Sequence, residues 1–369
     1  SITAIFVAFL SPIIGAISDT GGFRKFFFVL STWICIIATA CLFFFKEGDV
    51  YSALVYVIIA NIGFELGSVI CNSYLPEIAD KKNIGKISGF AWGLGFLGGL
   101  VTLVLLFSLM VLLPMIFLNV IDLELKIVRF STIIVALWFS IFSIPAFYLV
   151  REKKSERLTK KHISQSFLAI LNTFNDIKKY KKIIRFLIAR LFYNDALITI
   201  FALGGAYAIE TLDFTLIETL ILGIVLNVFA CIGSFYFGKL EDLRGAKWCI
   251  EVSIITLFFA VSLAFFAPYF TNVTIGKSIF WLAGILIGIM TGPSQSCSRS
   301  LMARLTPEEK TNEFFGFYAF TGKATAFLGP FIFALLSVYS AQIGLLVVVL
   351  FFLIGYIIFK PLKISENEQ

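Results

Sequence analysis

The chain is poor in the residues that most enzyme centres need. Its 369 residues hold one histidine, His162, and six cysteines without any CxxC spacing. HExxH, GxSxG and Walker-type glycine loops are absent. Those motifs put imidazoles on a metal, a serine on a strained elbow, or backbone amides around a phosphate. A polytopic membrane enzyme or lipid-processing protein is therefore a weaker reading, and no cofactor or metal is expected. The cysteines (Cys35, Cys41, Cys71, Cys231, Cys249, Cys297) lie in or beside apolar segments and read as reduced, buried hydrophobes. Charge is scarce as well. Only 14% of residues are Asp, Glu, Lys or Arg, against about a quarter in a soluble domain, so a wettable surface for this length is excluded.

What the chain has instead is apolar length. It is 59% hydrophobic with 43 phenylalanines, and its mean hydropathy is +0.95. The apolar runs are continuous rather than alternating, which selects helices over a barrel; in lipid each helix satisfies its own backbone groups. Spans are expected near 2–17, 26–45, 51–76, 84–114, 128–149, 183–208, 215–238, 247–268, 278–302, 314–338 and 342–359, eleven in all. Loops on one side of this arrangement carry 24 Lys and Arg, and loops on the other carry four. Positive loops stay in the cytoplasm, so the +7 net charge reports orientation. A nucleic-acid partner is not expected; the bilayer is. Residues 151–182 form the longest polar stretch and contain His162. They divide the chain into bundles 1–150 and 183–369, and Phe167, Ile170, Leu171, Phe174 and Ile177 fall at the spacing of a surface helix.

A short pattern occurs twice. Gly15, Asp19, Gly22 and Arg24 recur as Gly238, Asp242, Gly245 and Lys247, with identical spacing at an offset of 223. Each copy follows one apolar helix and precedes another, on the cytoplasmic side. A second echo sets Gly89-Phe90 opposite Gly316-Phe317. Repeated halves joined by a basic loop are a transporter architecture, with binding expected near the bilayer centre. Asp19 is positioned to cap a helix of the other half near 312–316, where the helix dipole favours negative charge. Such a cap would act as a gate latch. Gly85, Gly89 and Gly93, with Gly95 and Gly99, form GxxxG patterns and predict close helix packing.

Ionisable and amide side chains inside apolar spans are costly, and so are candidates for function. Asn61, Glu65, Ser68 and Asn72 stand at i, i+4, i+7 and i+11, on one helix face. Glu65 would bind a proton or a substrate amine; the alternative is an interhelical hydrogen-bond network. Arg190 and Asn194 share a face, with Asp195 adjacent. Arg190 could hold a substrate carboxylate in two bonds or neutralise a buried acid. Gln295 and Arg299 lie with Thr291, Ser294 and Ser298 on another polar-leaning helix. Lys323 either lines a cavity or snorkels to the cytoplasmic interface.

The form G-x3-D-x2-G-x-[R/K], matched by Gly15, Asp19, Gly22 and Arg24, resembles the signature loop of the major facilitator superfamily. Residues 72–100, 189–197 and 294–330 resemble its vacuole-effluxer, or autophagy-related, permease branch, in a bacterial relative. The resemblance implies an all-α polytopic fold of two pseudo-symmetric six-helix bundles. Its twelve helices would make the eleven spans helices two to twelve, with the first helix missing before Ser1. It also implies secondary transport of a small polar metabolite, an amino acid by preference, by alternating access with a proton as candidate coupling ion. A monomer in a bacterial inner membrane is expected, with a vacuolar or other organellar membrane, and a non-transporting sensor or remnant, as alternatives.

Overall fold

The structure, a computed structural model, describes residues 2–21, 23–46, 48–116, 123–150 and 177–364. Gly22, His162 and the expected surface helix up to Asp176 lie outside the described residues. The described residues form thirteen α-helices, in order α1 (Ile2–Gly21), α2 (Arg24–Cys41), α3 (Val50–Ser73), α4 (Leu75–Ile78), α5 (Ile84–Ile116), α6 (Leu123–Leu149), α7 (Lys181–Leu212), α8 (Leu216–Arg244), α9 (Ala246–Phe266), α10 (Val273–Leu305), α11 (Thr311–Lys323), α12 (Leu328–Ser337) and α13 (Ala341–Phe359). Among the described residues, ten candidate spans are long and apolar enough to cross a membrane, and α1 adds the shorter apolar stretch Phe9–Asp19.

The span expected at 314–338 is present as the candidate crossing Glu308–Ser337, with an interruption. The run 314–338 is not a continuous helix: α11 stops at Lys323, and residues 324–327 form bends and turns before α12 begins. The sequence there, KATAF, is apolar enough to pass for helix interior. The break shows only in the hydrogen bonds, where Leu328 N–H returns to the Thr325 carbonyl at 2.7 Å.

Contacts gather the chain into two units. The first comprises residues 1–73, 101–174 and 309–320. Within it α3 packs on α2 and α1, and α6 packs on α2. Gly63 allows the α2–α3 approach, since a Cβ there would fall 2.7 Å from the Ser31 carbonyl oxygen and 2.8 Å from the Cys35 nitrogen. The second unit comprises residues 74–100, 175–308 and 321–369. There α10 packs between α8 and α9, and α7 packs against α13. Small residues make these approaches possible where lipid offers no hydrophobic drive between helices. Gly233 and Gly292 face backbone across the α8–α10 contact.

Local chemistry sets several helix ends. Thr215 and Glu218 form a reciprocal capping box at the start of α8. Asn272 accepts from the Thr274 and Ile275 amides at the start of α10, and Ser340 from the Ile343 amide at α13. Between α8 and α9 stands Gly245 at φ +86, a backbone region that side chains avoid. The glycine of the second repeat copy therefore makes the tight turn.

Candidate functional site

In the first unit, α1 delivers Asp19 to the N-terminus of α11. Its Oδ1 accepts from the Asn312 N–H at 3.2 Å and from Asn312 Nδ2 at 2.5 Å, and its Oδ2 accepts from the Glu313 N–H at 2.9 Å. The expected cap is present. Gly15 lies one turn earlier and touches the Asn312–Glu313 backbone so closely that a Cβ would sit 2.8 Å from the Asn312 carbonyl carbon. Ser73, at the end of α3, donates to the Asn312 side chain and receives Arg24 Nε at 3.2 Å. Arg24 thus reaches the Asp19 cap from α2, through Ser73. Glu313 is buried, with Oε1 lacking a hydrogen-bond partner.

The second copy builds the same device inside the second unit. Asp242 Oδ1 and Oδ2 accept from the Gly85 and Lys86 N–H groups at the start of α5, both at 2.9 Å. Gly238 meets Gly89 where α5 crosses α8: a Cβ on Gly238 would come within 2.8 Å of the Gly89 Cα. Gly85 and Gly93 also pack here, against Glu241–Asp242 and Phe235. Gly95 and Gly99 find no neighbour within 4 Å, so the GxxxG expectation holds only for the first set. Lys247 departs from the parallel. It donates to the Lys360 carbonyl at 3.1 Å and pairs with Glu251 at 3.4 Å, tying α9 to the end of α13.

A buried charge cluster lies beside the Asp242 cap. Glu241 is fully buried and accepts from the Ser300 hydroxyl. Arg304 Nη2 stands 3.6 Å from Glu241 and 3.7 Å from Asp242, at ion-pair rather than hydrogen-bond range, while its Nη1 donates to the Lys81 carbonyl at 3.0 Å. Arg299 does not join a free stripe. Its guanidinium donates to the Ser88 hydroxyl at 3.0 Å and the Ser88 carbonyl at 2.8 Å. Sequence reasoning missed Glu241, whose one signal is its place beside Asp242; Ser300 and Arg304 are paired with it, and Ser88 with Arg299, only by the fold.

The remaining candidates fall in two places. Asn61 is exposed on α3, and Glu65, Ser68 and Asn72 are half-buried. These four share the face opposite Gly63, Leu66, Gly67 and Ile70, which are buried in the first unit. In the second unit, Arg190, Asn194 and Asp195 of α7 are all buried. Gln295 Nε2 of α10 donates to Asn194 Oδ1 at 3.1 Å, and Asn194 Nδ2 reaches the Gly322 carbonyl at 3.5 Å. A Cβ on Gly322 would lie 3.0 Å from Arg190 Nη1. Asp195 points elsewhere: its Oδ2 accepts from the Gly329 N–H at 3.0 Å, and its carbonyl accepts from Thr199. Tyr193 and Ser298 share a hydrogen bond of 2.6 Å. Lys323 ends α11, half-buried at the helix break. Among the described residues, no group of three His, Cys, Asp or Glu is placed to hold a metal ion.

Apolar spanning helices with capped helix ends and a buried amide–guanidinium cluster are the parts of a multi-pass membrane transporter. Solved transporter structures share its fold. The E. coli fucose:proton symporter FucP aligns with TM-score 0.74 at 13% identity, over 98% of this chain and 90% of that one. A bacterial homologue of the iron transporter ferroportin, in an outward-facing state, aligns with TM-score 0.72 at 15% identity, over 98% and 88%. The chain belongs to the family described as vacuole effluxer Atg22-like, whose model matches residues 1–368. It is 27% identical over 372 residues to the uncharacterized MFS-type transporter YxiO of Bacillus subtilis, covering all of this chain and 84% of that protein. It is 22% identical to autophagy-related protein 22 of Kluyveromyces lactis, over 88% of this chain and 70% of that one.

Proposed function

We propose that the protein moves a small zwitterionic metabolite, an amino acid by preference, by proton-coupled alternating access. The observation that carries this is the pair Arg190 and Asn194, buried on α7 beside Gly322, with the half-buried Gln295 donating to Asn194. A guanidinium set among amides binds a carboxylate through parallel charge-assisted bonds, and its amides supply donors and acceptors for the rest of a small polar solute. Glu65, on the face of α3 turned from its packing partners, is the candidate for a substrate amine. Glu65 and Asp195 are both candidates for the proton. Residues 1–150 and 183–369 act as the moving bundles with 151–182 as tether, and the Asp19 and Asp242 latches, with Gly22 completing the first motif, steady the cytoplasmic side. A monomer in a bacterial inner membrane is the favoured setting.

Reconstitution tests this. Proteoliposomes with an inward proton gradient are given radiolabelled amino acids of each charge class, nucleosides and organic acids. Accumulation of a zwitterion, abolished by a protonophore and by Arg190→Gln, is expected. No flux of any probe, or flux untouched by Arg190→Gln, refutes the assignment.

A further inference from the structure

Among the described residues, three helices take an aspartate from another helix onto backbone N–H groups of their first turn. Two are the repeat latches at α11 and α5. The third is α12, and the sequence repeat contains nothing like it. Its N-cap residue, Phe327, provides no side-chain bond. The Gly329 N–H in its first turn is satisfied by Asp195 Oδ2 at 3.0 Å. Asp195 is the fifteenth of the 32 residues of α7, near mid-span, and only 1% exposed. Its other oxygen, Oδ1, is buried without a hydrogen-bond partner.

The surroundings of that oxygen are nearly free of charge. On α7, Arg190 lies five residues earlier and turns toward Gly322, and Tyr193 is engaged with Ser298. α12 carries no ionisable side chain, and α13 carries only Tyr356, which lies among Ile254, Phe258 and Phe352. On α10, Arg299 is held by Ser88. On α8 the charged residues sit at the two ends, Glu218 and Lys239 to Arg244. Lys323 stands at the end of α11. A buried carboxylate with one oxygen unfilled is expensive while ionised. A proton on Oδ1 removes the charge and weakens the pull on the Gly329 amide, because hydrogen bonds to an ionised acceptor are roughly twice as strong. Directly preceding α12 is the non-helical segment 324–327, where the helix is interrupted.

We propose that Asp195 carries the coupling proton and that its protonation state clamps or releases the first turn of α12 at the 324–327 break. Ionised, Asp195 pins Gly329; protonated, it lets α12 move against α7. This rests on the proton-coupled reading above, and its test needs no substrate, so the two can fail separately.

The test is hydrogen–deuterium exchange of the full chain in lipid nanodiscs across pH 5 to 9, corrected for intrinsic exchange. Protection of amides in 324–332 is expected to fall at least about tenfold on acidification, the scale of one lost charge-assisted bond. In Asp195→Asn the segment should be poorly protected and flat with pH. The step should survive in Glu65→Gln. A wild-type profile without a step overturns the proposal, and so does a step that persists in Asp195→Asn. A step lost in Glu65→Gln assigns the proton to Glu65 and also overturns it. If Asp195→Asn does not fold, the wild-type and Glu65→Gln profiles decide by the same criteria.

Discussion

Asp19→Asn is the most direct probe of the latch. The substitution keeps the side chain's shape and one acceptor while removing its charge. In the native protein two oxygens serve three donors: the Asn312 and Glu313 backbone N–H groups and Asn312 Nδ2. An asparagine oxygen can serve one backbone donor, and its NH2 then faces the other. A charge-assisted hydrogen bond contributes about 1.5–3 kcal/mol, and a carboxylate at a helix N-terminus about 0.3–1 kcal/mol. Asp19 is half-buried, so solvent screening trims the electrostatic part and a net cost of about 2 kcal/mol follows. At about 1.4 kcal/mol per tenfold, the closed-to-open ratio of the latch should fall about 30-fold. Spin labels at positions 25 and 309, in a background with the six cysteines replaced, read this by pulsed dipolar spectroscopy. The short-distance population should shrink and a longer one appear in Asp19→Asn, with transport slowed more than substrate affinity is weakened. An unchanged distance distribution, or a pure loss of affinity, refutes the latch.

Three further outcomes follow from the second unit. Gly89→Ala should destabilise the protein by about 1–3 kcal/mol in a detergent melt, because its Cβ would meet the Gly238 backbone at the α5–α8 crossing. Gly95→Ala, with nothing within 4 Å, should be neutral or stabilising by up to about 1 kcal/mol through helix propensity; equal losses at both sites would contradict the packing. Arg304→Met should cost about 3–5 kcal/mol by leaving Glu241 buried without its cation, and adding Glu241→Gln should recover part of that. Additive losses in this double-mutant cycle would show that the two residues do not couple. Arg190→Lys should retain fold and melting temperature yet weaken carboxylate substrates more than tenfold, since a point charge cannot reproduce a planar fork; unchanged uptake kinetics would remove Arg190 from the site.

Much of this was legible in the residues because membrane insertion is read from composition and local order. Apolar runs specify spans, and loop lysines and arginines orient them. The duplicated Gly–Asp–Gly–Arg/Lys spacing located both capping aspartates, and the position of the Asp19 cap followed from simple dipole logic. The break between α11 and α12 was hidden, because its apolar residues satisfy the same hydropathy rule as a helix. The partners of Asp242, the burial of Glu241 beside Ser300 and Arg304, and the diversion of Arg299 to Ser88 were hidden for another reason. They join residues far apart in the chain, and one-dimensional spacing carries no information about which helix faces a given side chain. Asp195 shows the division most clearly. Its sequence position marked it as costly and so of interest. Only the tertiary structure gave it a task, by bringing the uncapped start of α12 to within 3.0 Å of one oxygen and leaving the other without a partner.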